Sequence, residues 1–130
     1  MRRISIRTSK QREVVDITER VASVFEKSDA KTGLVHIYLR HTTAALTIAD
    51  LDPGTDLDML DALEVMVPKL KYRHPHDPSH VPDHILSAMI GASLSVPLEN
   101  GEFMLGEWQR IVLVEFAGPR ERELVVSFMG

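Results

Sequence analysis

Ser93 to Leu105 reads SLSVPLENGEFML, and this stretch decides the fold. Its centre is Asn100-Gly101, the dipeptide best suited to a tight two-residue hairpin turn, because both residues accept positive φ. On one side lies Ser93 to Leu98, on the other Phe103 to Leu105, so the two segments pair antiparallel. Moving toward the C-terminus, Arg110 to Phe116 and Glu123 to Phe128 are strands separated by a Gly118-Pro119 turn. Moving back, Leu34 to Arg40 is a strand with Val35, Ile37 and Leu39 on one face and His36, Tyr38 and Arg40 on the other. After His41, Thr42 and Thr43 the apolar run AALTI predicts another strand. Arg3 to Thr8 alternates with Ile4 and Ile6 on one face and opens the chain as a strand.

Helices lie between these strands. Asp16 with Glu19 predicts a capping box, followed by Ile17, Val21, Val24, Phe25 and Ser28 at helical spacing, with Gly33 as the stop. Thr55 with Asp58 predicts a second helix marked by Leu57, Leu60, Leu63, Glu64 and Val67 and ended by Pro68. Pro82 suits the first turn of a third, running through Ile85, Met89 and Ile90 to Gly91. Strands in hairpins with two longer helices and one short helix define an α+β fold with mainly antiparallel sheet, rather than a doubly wound parallel one. At 130 residues the chain suits a single compact domain, residues 1–130.

Composition narrows the function. Without cysteine, disulfides, Cys-ligated zinc, iron–sulfur clusters and thiol catalysis are excluded. A formal net charge of −4 argues against a dedicated nucleic-acid binder. No apolar run approaches the ~20 residues of a membrane helix, and the polar start MRRISIRTSKQRE lacks a signal-peptide core, so no membrane association and a cytoplasmic location are expected. The charge is uneven. Arg2, Arg3, Arg7, Lys10 and Arg12 crowd the start, whereas His41 to Pro68 holds six acids and no Lys or Arg.

Histidine carries most of the chemistry. His74, His76, His80 and His84 fall within eleven residues, with Asp77 and Asp83 among them. Neutral imidazole ligates divalent metals and serves as acid or base near pH 7. Pro82 stands between His80 and His84, so the pair does not form a zinc-helix motif, and a solvated His-rich loop is the competing reading. His41-Thr42-Thr43 joins a histidine to two hydroxyls, a combination that holds phosphate or orients water. Asp50, Asp52, Asp56 and Asp58 fail the calcium-loop template, because the sixth position is Thr55 and the twelfth Asp61; helix capping accounts for them. Glu115 lies in an apolar strand, either facing solvent or paired. No GxGxxG, P-loop or GxSxG motif is present.

The ordered set His41-Thr42-Thr43-Ala44-Ala45, Asp52-Pro53, His74, Pro82-x-His84-Ile85, Gly91, Asn100-Gly101, Leu105-Gly106-x-Trp108-Gln109 and Glu115-Phe116-x-Gly118-Pro119-Arg120 resembles the YjbQ-like family from about Ile4 to Met129. The resemblance implies two packed sheets, a homotrimer and thiamine-phosphate synthase activity, joining a pyrimidine-methyl diphosphate to a thiazole phosphate with release of diphosphate. It implies that His41, His74 and His84 form the catalytic or metal site, with zinc or magnesium as the divalent metal. It also implies that Thr42, Thr43, Trp108 and Gln109 bind a small phosphorylated substrate. A non-catalytic trimer binding metal or anion, and a metal-dependent hydrolase, are the alternatives. Leu86 stands where the family often carries a basic residue, and Arg40, Arg73 and Arg120 are the cations available in its place.

Overall fold

The computed structural model describes residues 1–26, 28–74 and 77–130. Three layers follow from the alternation of the strands. Strands β1 (Arg2–Arg7), β3 (Gly33–Leu39), β5 (Ser93–Glu99), β6 (Glu102–Phe103) and β8 (Glu121–Met129) form a five-stranded sheet in the order β1-β8-β3-β5-β6. Strands β2 (Glu13–Asp16), β4 (Ala44–Ala49) and β7 (Arg110–Glu115) form a three-stranded sheet in the order β2-β7-β4. Every pairing is antiparallel. Among the described residues the α-helices are α1 (Thr18–Ala22), α2 (Thr55–Met66) and α3 (Val81–Ile90). This is an α+β fold of curled antiparallel sheets, as the hairpin at Asn100 predicts. That turn has positive φ at both Asn100 and Gly101.

The three-stranded sheet is the middle layer. Ile111 and Leu113 of β7 face the five-stranded sheet and pack with Ile4, Val35, Ile37 and Leu124. Val112 and Val114 face the other way and pack with Leu60 of α2 and Leu86 of α3. Burial on both faces is why β7 reads as an unbroken apolar run. Alternation also settles Glu115. It shares the inner face with Ile111 and Leu113, where Arg122 on the inner face of β8 meets it.

Several sequence readings change. The segment after Asp16 gives only one turn of α-helix, continued by a 3₁₀ turn at Ser23–Phe25. The capping box is not formed, because Asp16 ends β2 and its carboxylate accepts from the backbone and side chain of Thr18, while Glu19 pairs with Arg110. Gly33 does not stop a helix; it begins β3, and a side chain there would collide with the Met129 carbonyl. Helix α2 starts from Gly54 at φ 91 rather than from a Thr55 cap, and Leu57 is 60% exposed.

Candidate functional site

β3 ends at Leu39, and the chain crosses to β4 through Arg40 to Thr43. This crossing, the start of α3 and the β7–β8 turn surround one cleft of about 460 Å³. His41, Thr42, Thr43, His74 and His84 all line it, so chain segments distant in sequence bring these expected residues together. His76 lies outside the described residues.

The floor of the cleft is held by a buried ion pair. Arg122 donates through Nε to both Glu115 oxygens, at 2.9 and 3.1 Å, and through a terminal nitrogen to Oε2. The same terminal nitrogen reaches Thr43 Oγ1 at 2.9 Å and its carbonyl at 3.1 Å. Glu115 also accepts from Thr8 Oγ1 at 2.7 Å and from the amides of Phe116 and Ala117. Burial alone would push its carboxyl up, but the hydrogen bonds from Arg122 and Thr8 outweigh this and hold it below the ordinary carboxylate value. No described side-chain nitrogen or oxygen is buried without a partner. Gly118 lets the turn close, since a side chain there would strike the Lys10 carbonyl. Arg120, carried on this turn, anchors Nε on the Ala117 carbonyl at 2.9 Å and joins no ion pair among the described residues.

Hydrogen bonding assigns the histidine tautomers. The Glu123 amide donates to His41 Nε2 at 2.8 Å, which puts the neutral ring's proton on Nδ1. Burial, and then the nearby Arg122 charge, push the His41 pKa below its ordinary value, so the ring is neutral near pH 7. The Asp77 amide donates to His74 Nδ1 at 3.1 Å, which puts that ring's proton on Nε2. His74 stacks on His84 with centroids 5.4 Å apart and planes 16° apart. His80 stands between Asp77 and Asp83, 3.1 and 3.4 Å away, and Asp83 is in turn held by Arg12 at 3.2 Å.

A metal-ligating histidine donates its second ring N–H to a carbonyl or carboxylate, leaving a lone pair for the ion. Here His41 accepts at Nε2, so its N–H lies on Nδ1. Among the described residues no three His, Asp or Glu side chains group closely enough to hold a metal ion. His41 would offer Nε2 to one only by giving up its amide bond.

Trp108 and Gln109 do not join the cleft. Gln109 accepts the Gly106 amide within its own turn at 2.8 Å. Trp108 is 62% exposed and lies in a separate hollow with Asp50, Asp52 and Arg110. Leu86 is 1% exposed and packs among Leu60 and Val112, so it takes no charge away from the cleft; Arg40 and Arg120 line it instead. The Glu115–Arg122 pair was the residue set not assigned from sequence. Its signal was available: Glu115 has the parity of Ile111 and Leu113, and only a paired carboxylate belongs there.

A family model described as UPF0047 protein YjbQ-like matches residues 2–130. A UPF0047 protein of Archaeoglobus fulgidus is 40% identical over 125 residues, covering 95% of this chain and 97% of that one. The YugU protein of Bacillus subtilis, also UPF0047, is 35% identical over 131 residues, covering 100% and 99%. A solved YjbQ/UPF0047 structure from Clostridium acetobutylicum superposes with a TM-score of 0.89 at 32% identity, covering 99% of this chain and 100% of that one. A YbjQ-like protein of unknown function from Sulfolobus solfataricus gives 0.90 at 34%, covering 99% and 95%. The chain belongs to the UPF0047 YjbQ-like family.

Proposed function

We propose that the cleft binds the phosphate or diphosphate group of a small molecule and, in the finer reading, transfers the group that a diphosphate leaves behind. The observation that carries this is the amide-assigned His41 beside Arg120. His41 has Nε2 taken by the Glu123 backbone N–H and so carries its proton on Nδ1. Such a donor with a neighbouring Arg120 suits an oxyanion and offers little to a cation.

The reaction implied by the family resemblance uses such a wall. The methylene C–O bond of a pyrimidine-methyl diphosphate breaks, and its electron pair leaves with the diphosphate. The lone pair of the thiazole nitrogen forms the new C–N bond. The guanidinium of Arg120 and the Nδ1–H of His41 would neutralise charge as it grows on the leaving oxygen, the term that usually dominates such a barrier. Glu115 and Arg122 would keep Thr43 and the β7–β8 turn in place and take no part in bond making.

Calorimetry with inorganic phosphate and diphosphate tests the binding step. Saturable binding is expected, and Arg120→Ala should weaken it by about 10- to 100-fold, the worth of one charge-assisted contact. Absence of binding for both anions would overturn the reading. Incubation with the two coupling substrates and magnesium, beside an authentic synthase, tests the transfer. Binding without product retires the transfer and leaves an anion-binding protein.

A further inference from the structure

Arg40, His41, Thr42 and His84 form a wall with two sides. One side faces the cationic cleft. The other faces a second cavity of about 640 Å³, reached by Tyr38 and Leu39 from β3 and by Ala88 and Gly91 at the end of α3. Both volumes lie in the range of small-ligand pockets.

The two cavities differ in chemistry. The first holds Arg120, His74, His80 and Asp77. In the second, the groups brought by Ser87, Gly91 and Ala92 are already used, and the remaining polar reach comes from Tyr38 and the shared wall. The Ser87 hydroxyl turns inward to the Ala44 carbonyl at 2.6 Å. The Gly91 amide donates to the Ser87 carbonyl, and the Gly91 carbonyl accepts from Leu46 at 3.0 Å. The Ala92 carbonyl accepts from Leu39 at 2.7 Å. Away from Tyr38 and that wall, a ligand hydroxyl would give up water against groups already paired, whereas apolar surface would gain by leaving water.

We propose that the two cavities are one binding site for a phosphorylated molecule with an apolar body: the phosphate lies against Arg120 and His41, and the body passes over the His41–His84 wall into the lobe beside Tyr38 and Ala88. Sugar phosphates, whose bodies are lined with hydroxyls, are disfavoured. The inference rests on the reading of the cleft as a phosphate site and adds the substrate class and the residues that select it.

The test compares inorganic phosphate, phenyl phosphate and glucose 6-phosphate by calorimetry on the full chain. Phenyl phosphate is expected to bind at least about tenfold more tightly than either of the others. Ala88 is exposed on α3, so Ala88→Trp fills the lobe without entering the core. It should remove the phenyl phosphate advantage and leave inorganic phosphate binding unchanged. Tyr38→Ala, from the other wall, should reduce the same advantage. Equal binding of phenyl phosphate and inorganic phosphate would overturn the lobe, as would glucose 6-phosphate matching phenyl phosphate, or an advantage that survives Ala88→Trp. Failure of all three probes to bind would instead overturn the phosphate reading on which the lobe rests.

Discussion

The two walls of the cleft are built on opposite plans. The wall from Glu115 to Arg122 continues the inter-sheet core, and both ends of its ion pair are buried. Five further hydrogen bonds, from Thr8, Phe116 and Ala117 to Glu115 and from Arg122 to the two oxygens of Thr43, surround that pair. The facing wall carries His74, which accepts from the Asp77 amide and stacks on His84 at the start of α3. The first wall is over-determined and sets geometry. The second presents the stacked histidines.

The largest test of this contrast is a stability comparison. Glu115→Ala leaves the Arg122 charge buried and unpaired, and should cost about 3–5 kcal/mol in urea unfolding. His84→Ala, on the other wall, should cost less than about 1 kcal/mol and act instead on ligand binding. Equal losses would show that both walls are structural.

The next effect is pH dependence. His41 has its folded pKa pushed below the ordinary 6.5. Below that value the unfolded chain takes up a proton that the folded ring refuses, so stability is full above pH about 6.5 and declines as the pH falls toward the folded value. Glu115 behaves likewise in a lower window: its folded pKa lies below 4.5, and its contribution fades as acid approaches the folded value. Melting temperature should therefore fall in two steps on acidification, and His41→Asn should flatten the upper one alone. A profile unchanged by His41→Asn would place the upper step elsewhere. The smallest expected effect is that of chelation. With His41 acting as a donor, EDTA should leave phosphate affinity unchanged. Loss of affinity in EDTA, restored by zinc, would show that the ring abandons its amide for a metal and would break the donor assignment.

Periodicity alone located most strands, because one buried face forces alternation and Asn100-Gly101 forces a turn. It failed after Asp16, where helical spacing at Val21, Val24 and Phe25 extends over more residues than the single α-turn and 3₁₀ turn that form. There Arg110 draws Asp16 and Glu19 to β7, and strand pairing of β2 overrides local propensity. The candidate site was legible as residue types: His41, Thr42, Thr43, His74 and His84 do line one cleft. Their roles were not, because a histidine's chemistry depends on which nitrogen its neighbour occupies, and Glu123 lies 82 residues from His41. Trp108 shows the converse. A tryptophan beside a glutamine in a family motif suggests a shared pocket, yet the Gly106–Gln109 turn directs the segment to another hollow.

By itself the sequence determined the α+β class, the antiparallel hairpins, the absence of thiol chemistry and the identity of the polar residues available. These follow from local rules, in which side-chain alternation, turn conformers and atom types act within a few residues. Only the tertiary structure decided that Glu115 and Arg122 neutralise one another, that Leu86 is core rather than a missing cation, and that His41 stands between a cationic cleft and an apolar lobe. Each of these depends on contacts between segments brought together by the packing of two sheets, and no local pattern encodes the distance between them.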